Sequence, residues 1–250
     1  MRFMQDGRFG WLSLPAGMVV WEIAGRVWQF EFLPPFSAAV AATWRMTWSG
    51  ELPSSIAASL ISLVMGYTAA VCIGVPLGIL MGRHRRVDAF LGVYVTILLA
   101  TPSLMFVPVL FSLFGTSRLT QVTFIFLSAL VIIIVNTRSG VRSVDPGSIE
   151  MARAFGATER QVFTRILLPG AVPLIMAGAR MGMGRGVRAM IKGDMLIAVV
   201  GIGALLRKYG GRFDAASVLG LLLAIIALAL ACTSTIRWVE RRMTRWTEAT

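Results

Sequence analysis

The sequence predicts an all-α membrane protein of about six transmembrane helices. Three observations carry that expectation. Hydrophobic residues fill 56% of the 250 positions and charged residues only 14%, against roughly a quarter charged in soluble domains. Mean hydropathy is +0.76. Charge-free runs recur at the length a bilayer demands, about 20 mostly apolar residues each. A soluble chain of this length could not bury so much apolar surface.

Four runs are free of charged residues: 52–82, 89–117, 119–137 and 215–236. The stretch "FGTSR", ending at Arg118, marks the turn between the second and third. Two weaker segments complete the six. The first, near 10–29, contains Glu22 and Arg26, whose spacing of four lets them pair on a helix. The other, near 170–199, holds several charges. No small-x-small cleavage site follows "LPAGMVV", so an uncleaved first span is expected rather than a signal peptide.

Six spans put both termini on one side, and the basic residues say which. Of the 24 Lys and Arg, fourteen fall on the side that would hold the termini, five on the other and five within spans. By the positive-inside rule the termini are cytoplasmic. A net charge of +12 therefore reads as membrane topology rather than nucleic-acid binding. The outer loops are too short to fold a solute-binding domain. The longest, about 31–53, carries Trp44 and Trp48 four apart, which suits a helix lying at the interface.

Candidate chemistry is sparse. Cys72 and Cys232 lie inside apolar runs and read as small core residues. The single histidine, His84, stands among arginines in "GRHRRVD", so no metal site is expected. Neither H-E-x-x-H nor G-x-S-x-G occurs, which argues against an intramembrane enzyme. Lys192 and Lys208 are the only lysines, and neither closes a G-x-x-x-x-G-K-[ST] loop. Nucleotide hydrolysis would need another polypeptide.

One segment is unlike the rest: "EMARAFGATERQVFTRILLP", residues 150–169. Asp145 and Pro146 before it read as an N-cap and a first helical residue. A helix to about Phe155 is expected, then Gly156 as a C-terminal cap. Thr158 and Gln161 have capping-box spacing, so a second helix should follow until Pro169 disturbs it. Ile149, Ala152 and Phe155, or Met151 and Phe155, can form an apolar stripe on the first helix. By pattern alone this is either an amphipathic loop resting on the bilayer or a knob for a partner.

The segment resembles the "EAA" signature of inner-membrane permeases of ABC importers. Glu150, Met151, Ala152, Gly156, Ile166, Leu168 and Pro169 stand at the spacing of that signature, with Met151 in place of the usual alanine. "GVPLGILMG", "GVRSVDP" and "RWVERRMTRW" are similar to the branch that includes taurine, aliphatic sulfonate and nitrate permeases. The likeness covers about Val20 to Trp246. It implies a single transmembrane permease domain over 1–250 of type I-like architecture, in a bacterial inner membrane. Residues of about 145–169 would form a cytoplasmic coupling loop seated in an ABC ATPase. The implied partners are an ATPase dimer that binds ATP and magnesium, an extracytoplasmic solute-binding protein, and a second permease copy in a homodimer. No cofactor would be bound by this chain. A passive channel, the other rival, has no use for a coupling loop.

The fifth span departs from that family's apolar habit. Gly178, Gly182 and Gly186 form a doubled G-x-x-x-G, suited either to packing within the chain or to a dimer seam. Arg185, Arg188 and Lys192 follow i, i+3, i+7 and share one helix face. Three such charges facing lipid would cost on the order of 10 kcal/mol, so they should face protein or water. They are expected to line the path and attract an anionic solute, unless they pair with other spans or reach lipid headgroups. Asp194 lies nearly opposite and cannot easily neutralise them from the same helix. The alternative solute is neutral or cationic, such as a pyrimidine precursor.

Overall fold

Among the residues described by the computed structural model (7–28, 32–197 and 201–243), helices follow one another and no strand occurs. They are α1 (Gly7–Trp28), α2 (Phe36–Trp48), α3 (Glu51–Arg83), α4 (Arg85–Ala100), α5 (Phe106–Phe114) and α6 (Arg118–Arg142). Then come α7 (Pro146–Ala154), α8 (Glu159–Val162), α9 (Leu168–Ile197), α10 (Ile202–Gly210) and α11 (Ala215–Met243). The ends of the expected likeness and of the basic C-terminal run, including Arg245 and Trp246, lie outside the described residues.

Four helical stretches are long and apolar enough to cross a membrane: 51–83, 118–142, 159–196 and 215–238. A bent pair, 85–100 with 103–114, makes a fifth if it is one span. The expected first span forms α1 but is not among them. Glu22 and Arg26 do pair on it, at 2.6 Å, and Glu22 also accepts from the backbone and hydroxyl of Ser37. Trp44 and Trp48 stack on α2 with ring centroids 6.1 Å apart, both largely exposed.

Small residues decide which helices touch. On α3, Gly66, Ala70, Gly74, Gly78 and Gly82 recur every four residues and face α6. A Cβ at Gly78 would stand 2.6 Å from the Cβ of Thr137, and one at Gly82 2.5 Å from that of Val141. The other flank of α6 receives α9. A Cβ at Gly178 would meet Asn136 at 2.7 Å and one at Gly182 would meet Ile133 at 2.8 Å. At Gly186 the neighbour is Leu63 of α3, at 3.3 Å. The glycine stripe of α9 therefore lies against helices of its own chain. Close approach of this kind yields dispersion contact where lipid supplies no hydrophobic drive. The Tyr67 hydroxyl adds a hydrogen bond across to the Ala179 carbonyl, at 2.9 Å. The sandwich α3–α6–α9 is the centre of the fold, and its core includes Phe124, Ile125, Ile133 and Met190.

Two sequence expectations need correction. The run 89–117 is not one straight helix: it breaks after Ala100 and turns by 94°. Thr101 is extended (φ −78°, ψ 126°) and Pro102 follows. Proline pushes its predecessor out of the helical region and offers no N–H to continue the ladder. Hydropathy registers neither effect. The second correction concerns Pro169, which does not end a helix. A π-helical turn, Phe163–Leu167, widens the backbone just before it, and the Leu168 N–H donates to the Phe163 carbonyl. An inserted residue of this sort relieves the clash of a proline ring with the preceding turn. The second arm of the 145–169 segment therefore runs without a break into α9.

Candidate functional site

The charged segment folds as an elbow. Asp145 caps α7, accepting from the backbone N–H groups of Gly147 (3.2 Å) and Ser148 (2.9 Å) and from the Ser148 hydroxyl. The Ser148 hydroxyl and these amides hold the Asp145 carboxyl below the ordinary carboxylate range. A carboxyl with a lowered folded-state pKa contributes stability above its unfolded value and loses it as pH falls through the folded value. The cap is thus complete at neutral pH. A titration of Asp145 by carbon-13 NMR should give a midpoint below that of a free aspartate, and Ser148→Ala should move it upward.

At the other end, α7 closes with a Schellman motif. The Gly156 N–H donates to the Arg153 carbonyl (2.9 Å) and the Ala157 N–H to the Ala152 carbonyl (3.0 Å). Gly156 takes φ +80°, a left-handed conformation that a side chain disfavours. The capping box follows two residues on. Thr158 accepts from the Gln161 N–H, and the Gln161 side chain accepts from the Thr158 N–H. Arg83, at the end of α3, and Arg153 of α7 both reach Glu159, at 2.9 and 2.8 Å. The Arg83 guanidinium also lies over the Phe163 ring, 5.7 Å from its centroid.

The seven signature residues divide between the two arms. Glu150 lines a cavity of about 300 Å³ with Arg83, Arg153, Glu159 and Phe163. Ala152 is half-buried, while Met151 and Phe155, one turn apart, are 63% and 86% exposed. Ile166 belongs to the π-helical turn, and Leu168 and Pro169 open α9. All three are half-buried. The elbow thus presents an apolar knob outward and roots its other arm in α9.

A second cavity, of about 280 Å³, brings the other candidates together. Arg185, Arg188 and Lys192 all line it. They face Thr101, Pro102 and Ser103 at the break between α4 and α5, and Ser128 of α6. None of the three cations has a hydrogen bond or ion pair with another described residue, and no carboxylate lines the cavity. No acidic neighbour among the described residues is therefore their counterpart.

Residues 74–245 match the family model described as the binding-protein-dependent transport system inner membrane component. The chain belongs to this family. It is a membrane transport subunit rather than an enzyme, and the permease has named relatives along most of its length. It is 31% identical over 192 residues to the taurine transport system permease protein TauC of Escherichia coli, covering 76% of this chain and 70% of TauC. It is 30% identical over 239 residues to the putative aliphatic sulfonates transport permease protein SsuC of the same organism, covering 94% and 91%. Over a shorter stretch, 148 residues, it is 32% identical to the nitrate import permease protein NrtB of a Synechocystis strain, covering 59% of this chain and 54% of NrtB. Its fold is that of a chain in the inward-facing MetNI methionine ABC transporter, with a TM-score of 0.68 at 20% identity over 80% of this chain and 98% of that one. The all-α permease architecture and the taurine, sulfonate and nitrate branch expected from the sequence agree with these likenesses.

Asp194 of the permease has a role that the sequence did not reveal. It is buried, and its carboxylate accepts from the Ser59 hydroxyl of α3 at 2.5 Å and from the Gln121 amide of α6. Ser59 in turn accepts from the Ile202 N–H at the start of α10, at 3.1 Å. Four helices thus meet on one acidic side chain. Helical periodicity puts Asp194 away from the basic face, as expected. Its partners lie 135 and 73 residues away in sequence, where no local pattern can find them.

Proposed function

We propose that this chain forms the translocation path of an ATP-driven importer for a small organic anion. The observation that carries the reading is the meeting of Arg185, Arg188 and Lys192, without a counter-charge among the described residues, on one cavity beside the broken span. The named relatives include proteins for taurine, aliphatic sulfonates and nitrate, which favours an anion over a neutral or cationic solute.

Energy would come from a separate ABC ATPase dimer that binds ATP and magnesium. Its groove would take the elbow of residues 145–169 with Met151 and Phe155 foremost. The shape of the elbow supports that role: an exposed apolar pair on a capped helix, and a second arm continuous with α9, which carries the three cations. Closing the ATPases would move α9 directly. An extracytoplasmic binding protein would deliver solute, and a second copy of this chain would complete the path as a homodimer. The basic bias supports cytoplasmic termini in a bacterial inner membrane.

The double replacement Arg188→Gln with Lys192→Gln should lower anion uptake into proteoliposomes about tenfold or more, given the cost of lost charge-assisted hydrogen bonds. The permease should still assemble with its ATPase by size exclusion. Undiminished uptake by the double variant would remove the basis of the anion path.

A further inference from the structure

Resting on the reading of this cavity as the solute path, the geometry points to a more specific cargo. We infer that the permease carries a solute with two anionic groups held apart by a short apolar spacer. Three features of the cavity lead there. The first is charge: three cations converge with no lining carboxylate and no partner among the described residues. A single anionic group would leave two of them uncompensated.

The second feature is their disposition. Arg185, Arg188 and Lys192 climb one face of α9, and at 1.5 Å per residue the ladder is about 10 Å long. It is a line of charge, not a point. The dehydration cost of an ion rises with the square of its charge, so one doubly charged head is the more expensive way to meet it. Two separate single charges, one toward each end, match the line at lower cost. The third feature is the wall between. Leu98, Phe106, Leu127 and Val131 line the same cavity and offer an apolar spacer its contact. The Ser103 hydroxyl can supplement one end.

The shared chemistry, an anionic head on an apolar body, also belongs to acidic lipids, so the test must separate the two. The permease, assembled with the proposed ATPase, is placed in phosphatidylcholine nanodiscs without binding protein. Propane-1-sulfonate and 3-sulfopropanoate, similar in body but with one and two charges, are titrated by calorimetry. The doubly charged probe should bind about tenfold tighter or better, a difference of about 1.4 kcal/mol. Lys192→Gln should weaken 3-sulfopropanoate more than propane-1-sulfonate and so remove the preference, while Lys192→Arg keeps it. Equal affinities for the two probes would overturn the two-charge inference and leave the anion path standing. Failure of both probes to bind would overturn the path and the inference together. If phosphatidylglycerol in the disc abolishes binding of 3-sulfopropanoate, the cavity is a lipid site and the inference falls.

Discussion

Gly156→Val is expected to uncouple the permease: ATP hydrolysis by the assembled complex continues while solute accumulation in proteoliposomes falls about tenfold or more. The reason is conformational rather than steric. A Cβ at Gly156 would meet nothing within 4 Å, so the site has room for a side chain. What it lacks is a permitted backbone. Gly156 holds φ +80°, where an L-residue costs roughly 1–2 kcal/mol and a β-branched one more. That strain is concentrated where the Gly156 and Ala157 amides close α7 on the carbonyls of Arg153 and Ala152. With the closure lost, the angle between α7 and α8 is free, and the pair Met151 and Phe155 no longer has a fixed direction. Asparagine tolerates the left-handed region better than other non-glycine residues. Gly156→Asn should therefore retain most of the uptake that Gly156→Val loses. Equal loss in both variants would mean that exposure or local bulk, not the left-handed turn, governs coupling.

The contrast between the two variants also shows what was legible in the chain before its fold. Capping and ion-pair signals are legible where both partners lie within a few positions on one helix or turn. Asp145 with Ser148, Gly156 with Arg153, Thr158 with Gln161 and Glu22 with Arg26 are all of this kind. Each depends only on helix geometry, which spacing encodes. The cation ladder was legible for the same reason, because 185, 188 and 192 share a face at any helical register. Two kinds of feature escaped. Hydropathy scores each residue alone, so it passed over Pro102 and joined α4 to α5 across a 94° bend. At Pro169 the opposite error arose, since a proline reads as a stop and the π-helical turn that accommodates it leaves no pattern in the sequence. Contacts between distant helices escaped as well. The five small residues on α3 are plain in the sequence, yet only the fold assigns them Thr137 and Val141 as neighbours.

Asp194→Ala is expected to lower the thermal unfolding midpoint of the detergent-solubilised permease by roughly 5–10 °C. Two hydrogen bonds to a charged group disappear at once, each worth about 1.5–3 kcal/mol. The loss does not stop at the acid. The Gln121 amide and the Ser59 hydroxyl become donors without an acceptor in a buried site, and Ser59 is also what the Ile202 N–H donates to. The start of α10 therefore loosens together with the contact of α9 on α3 and α6. Space cannot be recovered by collapse, because the chain is already at its closest approach there. A Cβ at Gly203 would collide with the Asp194 backbone, and one at Gly201 with the Ser59 hydroxyl. Asp194→Asn separates shape from charge: it preserves the side-chain volume and one carbonyl acceptor, and its amide can donate to Ser59. If the network serves to hold four helices in register, the asparagine variant should recover more than half of the lost midpoint and keep measurable uptake. If instead the negative charge itself is required, as a counter-field to the nearby cations, asparagine will be as damaging to uptake as alanine even where the midpoint recovers. Helix geometry favours the first outcome, since the carboxylate faces Ser59 and Gln121 and does not line the cation cavity.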